Sequence, residues 1–160
     1  MRFFLVLAAG LILLTTAANA VDADAPRGYQ LMCLKQPAQC TSTGPSRASG
    51  NAATLETLTR INNTVNRTMQ PKPDVGPDRW STNVSTGDCE DFALAKRAAL
   101  IKLGFPSASL HIAYGTLKYV GGHAVLVANI KSGTYVLDMP GIEKEVKPIS
   151  TTPYKHWRTL

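Results

Sequence analysis

The chain has 160 residues, 44% hydrophobic and 18% charged, with 12 Gly and 10 Pro, an ordinary globular composition that excludes a disordered, collagen-like or coiled-coil protein. That length supports one hydrophobic core and rules out a multidomain machine. The formal charge of +6 comes from scattered basic residues without a run that would read as a nucleic-acid tail, so nucleic acid is not expected as a partner.

Met1 and Arg2 precede an apolar run from Phe3 to Leu14 and a small-residue tail ending Ala18-Asn19-Ala20. A charged start, a short apolar core and an A-x-A end predict a secretory signal peptide over residues 1–20, cleaved after Ala20. The run falls short of the roughly 20 residues of a membrane helix. The mature chain is therefore expected in the periplasm or outside the cell, as a monomer without stable membrane insertion. Residues 21–50 carry Pro26, Gly28, Pro37, Gly44, Pro45 and Gly50 and read as an extended arm, leaving residues 51–160 as the main domain. From Asn51, Leu55, Leu58, Ile61, Val65 and Met69 recur at threes and fours, which predicts an amphipathic helix ending before Pro71. Residues 71–87 are expected to be mostly loop, with Trp80 packed in the core.

A second helix is predicted from about Ser85-Thr86-Gly87 to Gly104, with Phe92, Ala95, Ala99 and Leu103 on one face. Its acids Asp88, Glu90 and Asp91 come early and Lys96, Arg97 and Lys102 late, the order a helix macrodipole favours. Leu110–Lys118, Ala124–Asn129, Thr134–Leu137 and Glu145–Ile149 read as short strands. Helices followed by an antiparallel meander make an α+β fold.

Three cysteines in an oxidising compartment leave one thiol unpaired. Three pairings are possible; Cys33 and Cys40 are close enough in sequence to close a small loop in the arm, and that disulfide is the expected one. Cys89 then stays free at the start of the second helix. Orphan amides and the positive dipole end there favour a thiolate and can also hold an oxyanion. His123 opens one strand and Asp138 closes the next, on one sheet face in either register considered. A tight Ser132-Gly133 turn sets Asp138 opposite Val127, roughly 13 Å from His123. A loop over Asn129–Ser132 sets Asp138 opposite His123, so a Cys, His, Asp arrangement requires the longer loop or an equivalent bulge. Singly, each residue has a structural alternative: a buried Cys, a turn His, a turn-starting Asp. Together they have the order of a nucleophile, its base and the base's orienter. His111 and His156 lack such context and read as structural or surface residues.

The stretch from Gly87 to Arg97, then Gly122-His123-Ala124-Val125-Leu126, then Val136-Leu137-Asp138, resembles the bacterial transglutaminase-like cysteine proteinases, a family that includes a periplasmic protease releasing biofilm adhesins. The resemblance implies a papain- and transglutaminase-like fold, with Cys89, His123 and Asp138 as the catalytic triad. It also implies a protein substrate of the cell-surface or secreted adhesin type, no organic cofactor, and calcium held by Asp88 and Glu90. Electrostatics supports a cation there: a carboxylate about 6 Å from a thiolate opposes its ionisation by roughly 3 kcal/mol, against about 0.3 to 1 kcal/mol returned by a helix end. The competing reading of these acids is helix capping. The leading function is a cysteine endopeptidase. The alternatives are acyl transfer to an amine, a murein peptidase with the same triad, and a non-catalytic calcium- or protein-binding module.

Overall fold

In the computed structural model, which describes residues 22–160, the segment expected to be extended contains a helix, α1, over Arg27–Lys35. Tyr29, Met32 and Cys33 supply the reason, being spaced by three and one so that they turn the same way. Met32 and Cys33 are buried, and Tyr29 meets the Trp80 ring edge-on at 5.3 Å. Gly28 faces Trp80 with no room for a side chain, because a Cβ there would lie 2.4 Å from the indole. Cys33 and Cys40 form the expected disulfide, across 5.6 Å between Cα atoms. The signal-peptide segment lies outside the described residues, and no helix among those described is long and apolar enough to cross a membrane.

Helix α2 runs Ala52–Thr68, close to the expected bounds. Asn51 caps it, its side chain accepting from the Thr54 amide at 2.8 Å, which satisfies an orphan donor of the first turn. Leu58, Ile61 and Met69 of the expected stripe are buried. Helix α3 runs Cys89–Lys102. Its buried side differs from the expected face: Leu103 is 51% exposed, whereas Phe92, Lys96 and Leu100 are fully buried at four-residue spacing. Lys96, one of the later basic residues of α3, is turned inward by tertiary packing.

Two strands form a short parallel pair, β1 (Gln70–Pro71) with β2 (Thr86–Gly87). The main sheet contains β3 (Leu110–Leu117), β4 (Gly121–Ile130), β5 (Gly133–Leu137), β6 (Lys147–Pro148) and β7 (Arg158–Thr159), in the order β6-β5-β4-β3-β7, all antiparallel. Central β4 is buried on both sides. Ala124, Leu126, Ala128 and Ile130 join the core under the helices, while Val125 and Val127 pack with Ala113, Val136 and Tyr154 on the opposite face. Arg97 ties α3 to its surroundings by donating to the carbonyls of Leu110 and Gln39.

The β4–β5 register is neither of the two expected. Ile130 pairs with Gly133 and Leu126 with Leu137, so the turn is Lys131-Ser132 and the ladder, continued, sets Asp138 opposite Val125. The offset from His123 is two residues, which keeps both on one face as diagonal neighbours about 7–8 Å apart, within reach of long side chains. The longer loop was therefore not needed, since a diagonal contact does the same work.

Candidate active site

His123 and Asp138 touch: Nε2 lies 2.8 Å from Oδ1, with the two side chains 2% and 0% exposed. The Asp138 carboxylate is held from several sides. Oδ1 also accepts from the Met139 amide at 2.7 Å, and Oδ2 accepts from the Tyr154 hydroxyl at 2.5 Å. Its main-chain carbonyl accepts from Asn66 Nδ2 at 3.0 Å and from Lys96 Nζ. Burial, followed by the bond to Asp138, pushes the Tyr154 phenol well above its ordinary range and keeps it a donor. Trp157 stands edge-on to the His123 ring at 6.0 Å and packs on Tyr154 at 4.7 Å. With Nε2 committed to Asp138, Nδ1 is the ring nitrogen left to take a proton.

Cys89 is free and half-buried at the first position of α3. It lines the same cleft as His123, a space of about 320 Å³ whose walls also include Trp80, Tyr114 and Gly115. Burial raises the thiol above its ordinary value, and Glu90, whose Oε2 lies 3.2 Å from Sγ, raises it further; the Ala124 amide pulls the other way. The acids thus oppose ionisation, as the sequence electrostatics required, but burial is the larger cause.

Asp88 and Glu90 do not behave as caps. Asp88 occupies the N-cap of α3 without a side-chain bond to the helix amides. Asp88 Oδ1 and Glu90 Oε1 are buried with no N–H or O–H donor; other carboxylates crowd around them. Glu90 groups with Asp74 and Asp78, and again with Asp88 and Asp91, with one ligand oxygen from each residue of a group lying within 4.8 Å of the others. Burial and this crowding push the Glu90 carboxyl up to about 9, and burial pushes Asp91 up to about 6. Two carboxylate groups that share Glu90, with buried unpartnered oxygens on Asp88 and Glu90, are a donor set that suits a hard cation such as calcium. Asp91 has a further task, since its Oδ1 accepts from the Ser81 amide at 2.8 Å and stitches the preceding loop to α3.

Sequence reasoning missed Asp74, Asp78, Asn66, Lys96, Tyr154 and Trp157. Asp74 and Asp78 sat in a segment read only as loop, where two acids four residues apart and ten or so before Cys89 were the available signal. Nothing in the sequence pointed to the C-terminal aromatics. His111 is half-buried on β3 and His156 is exposed, away from the cleft, as expected.

A family model described as the bacterial transglutaminase-like cysteine proteinase BTLCP matches residues 19–159. No curated protein matches the chain. Among solved structures, LapG of Legionella pneumophila is 28% identical, with 65% of this chain and 61% of that chain covered and a TM-score of 0.54. Its calcium-bound form is 27% identical over 69% and 65% of the two chains, TM-score 0.55, and its EGTA-treated form 28% identical over 65% and 60%, TM-score 0.52. The aligned part of this chain thus spans about three fifths of the length of the LapG structures it matches. The mixed helix and antiparallel-sheet architecture agrees with that likeness, and a match running through nearly all of the described residues, from α1 to β7, makes this chain a member of the bacterial transglutaminase-like cysteine proteinase family.

Proposed function

We propose that the protein is a secreted or periplasmic cysteine endopeptidase, released by signal-peptide cleavage near Ala20, in which Cys89 is the nucleophile, His123 the base and Asp138 the orienter. The observation that carries this reading is the pairing of His123 Nε2 with a carboxylate in the cleft that also holds the free thiol. Asp138 fixes the tautomer with its proton on Nε2, so Nδ1 carries the lone pair. As Sγ attacks a peptide carbonyl, its proton passes to Nδ1 and the carbonyl oxygen gains the negative charge, which amides at the start of α3 are oriented to meet. The imidazolium then protonates the leaving amine as the C–N bond breaks. Water, losing its proton to Nδ1, hydrolyses the thioester and regenerates the thiol.

Calcium fits the carboxylate cluster, with Asp88 and Glu90 as ligands joined by Asp74 and Asp78, and when bound it would supply positive charge beside the sulfur. The proposed substrate is a secreted or cell-surface protein of the adhesin type.

The test is iodoacetamide labelling at pH 7 with calcium, combined with hydrolysis of the secreted proteins of the source organism. The expected result is labelling of Cys89 faster than of glutathione, and hydrolysis lost in both Cys89→Ala and His123→Ala. Labelling no faster than glutathione, with hydrolysis surviving in Cys89→Ala, overturns the proposal.

A further inference from the structure

Lys96 is an unusual residue for the middle of a helix. Its side chain is fully buried, and no carboxylate side chain pairs with it among the described ion pairs. Its ammonium donates instead to the main-chain carbonyl of Asp138 and lies 5.8 Å from the centre of the Phe92 ring. A buried, unpaired lysine costs several kcal/mol in desolvation, so keeping one here calls for a compensating interaction. Asp138 is the charged group facing it, from the end of β5, and it is itself almost fully buried. Helix α2 offers the same carbonyl the uncharged Asn66 amide. The other titratable groups about Asp138 are His123 on β4 and Tyr154, with Glu143 bearing on Tyr154.

We propose that Lys96 is a positioning residue whose buried positive charge balances Asp138, so that His123 rests as a neutral base instead of being locked as an imidazolium. The inference rests on the triad reading above. A buried carboxylate with no other counter-charge draws a proton onto the imidazole bonded to it. Such an imidazole holds its proton on both nitrogens and cannot accept one from Sγ. With Lys96 charged, the resting pair is already neutral overall, and the carboxylate can orient the ring without protonating it. The carbonyl contact also fixes the main chain that carries the carboxylate. Burial draws the Lys96 ammonium down to about 7, opposed by Asp138, so the charge on Lys96 depends on the carboxylate it balances.

The test follows the protons directly by NMR in a Cys89→Ser protein, where the thiol is silent, using 13Cε1-labelled histidine and 13Cε-labelled lysine; the His123 signal is identified by its loss in His123→Gln. In the parent, His123 is expected to lose its proton at lower pH than Lys96. Lys96→Met, which keeps the volume and removes the charge, is expected to move the His123 midpoint up by about one unit, a tenfold tighter hold on the proton. A His123 midpoint that stays put in folded Lys96→Met overturns the proposal, as a purely structural lysine would leave it unmoved. If Lys96→Met fails to fold, the parent still decides, because Lys96 neutral at a pH where His123 is still protonated also overturns it. Failure of the triad reading shows separately, as an unreactive Cys89 in the labelling assay, and leaves these midpoints untouched.

Discussion

Replacing Tyr154 with phenylalanine removes one hydroxyl and little else. Asp138 Oδ2 has Tyr154 as its hydrogen-bond donor among the described residues, while His123 and the Met139 amide both serve Oδ1. The carboxylate side chain is 0% exposed, and the gap left by a hydroxyl is too small to admit a bridging water with its own partners. A buried acceptor left without a donor costs about 1–3 kcal/mol, and a charged one belongs at the upper end. Tyr154→Phe is therefore expected to lose about 2–3 kcal/mol, seen as a lower urea midpoint at unchanged slope and a Tm lower by about 4–12 °C, at roughly 2–4 °C per kcal/mol. The carboxylate, held through one oxygen alone, no longer fixes the imidazole as closely. A fall of about tenfold in kcat/KM, or 1.4 kcal/mol of transition-state stabilisation, follows in calcium-saturated hydrolysis assays. Stability within about 0.5 kcal/mol of wild type together with unchanged kcat/KM would refute the reasoning, because that residual is the size of an ordinary surface substitution.

Gly115→Ala places a Cβ 2.6 Å from the Trp157 indole, so overpacking of about 1–3 kcal/mol is expected, with a red-shifted tryptophan emission as the indole is driven out toward water. Glu90, whose carboxyl sits at about 9 in the absence of metal, must release its proton to bind a cation. Calcium affinity is therefore expected to rise with pH from about 6 to about 9, and calorimetry at pH 7 in buffers of different ionisation heat should register about one proton released per ion; no release would contradict the assignment. The same group sets a stability trend in chelator. Its folded-state value lies above the ordinary 4.5, so the folded form binds the extra proton, and stability should decline as pH rises from about 4.5 to about 9. Replacing both Cys33 and Cys40 by serine opens a seven-residue separation and should cost about 2–3 kcal/mol, with the Cys89 alkylation rate unchanged.

Helices α2 and α3 and the strands β3 to β5 were legible in the sequence because their signals are local: apolar periodicity, glycine turns and a proline stop. Helix α1 was not, because Pro26, Gly28 and Pro37 dominate a short segment whose apolar residues find their partner in Trp80, some fifty residues away. Cys89, His123 and Asp138 were legible as a set of residue types in order, whereas the contact of His123 with Asp138 was not. A one-residue change in the turn moves Asp138 by two positions along β4, and turn chemistry alone did not choose among the registers. Lys96 shows the limit of charge patterning: among the later charges of α3 it reads only as a complement to the helix dipole, and only the packing around it reveals a buried cation. Tyr154 reaches Asp138 from an irregular segment with no periodic signal of its own.

The aromatic pair Tyr154 and Trp157 also makes the His123–Asp138 pair depend on residues that follow both of them in the chain. Cys89, His123 and Asp138 all emerge from the ribosome before Tyr154, which follows Asp138 by 16 residues, and β7, the sheet-edge strand just beyond Trp157, emerges later still. A partly translated polypeptide carries the thiol and the imidazole without the lock that holds the carboxylate or the indole that walls the ring. A chain cut before Tyr154 would therefore keep all three side chains and lose the donor that holds one oxygen of the Asp138 carboxylate.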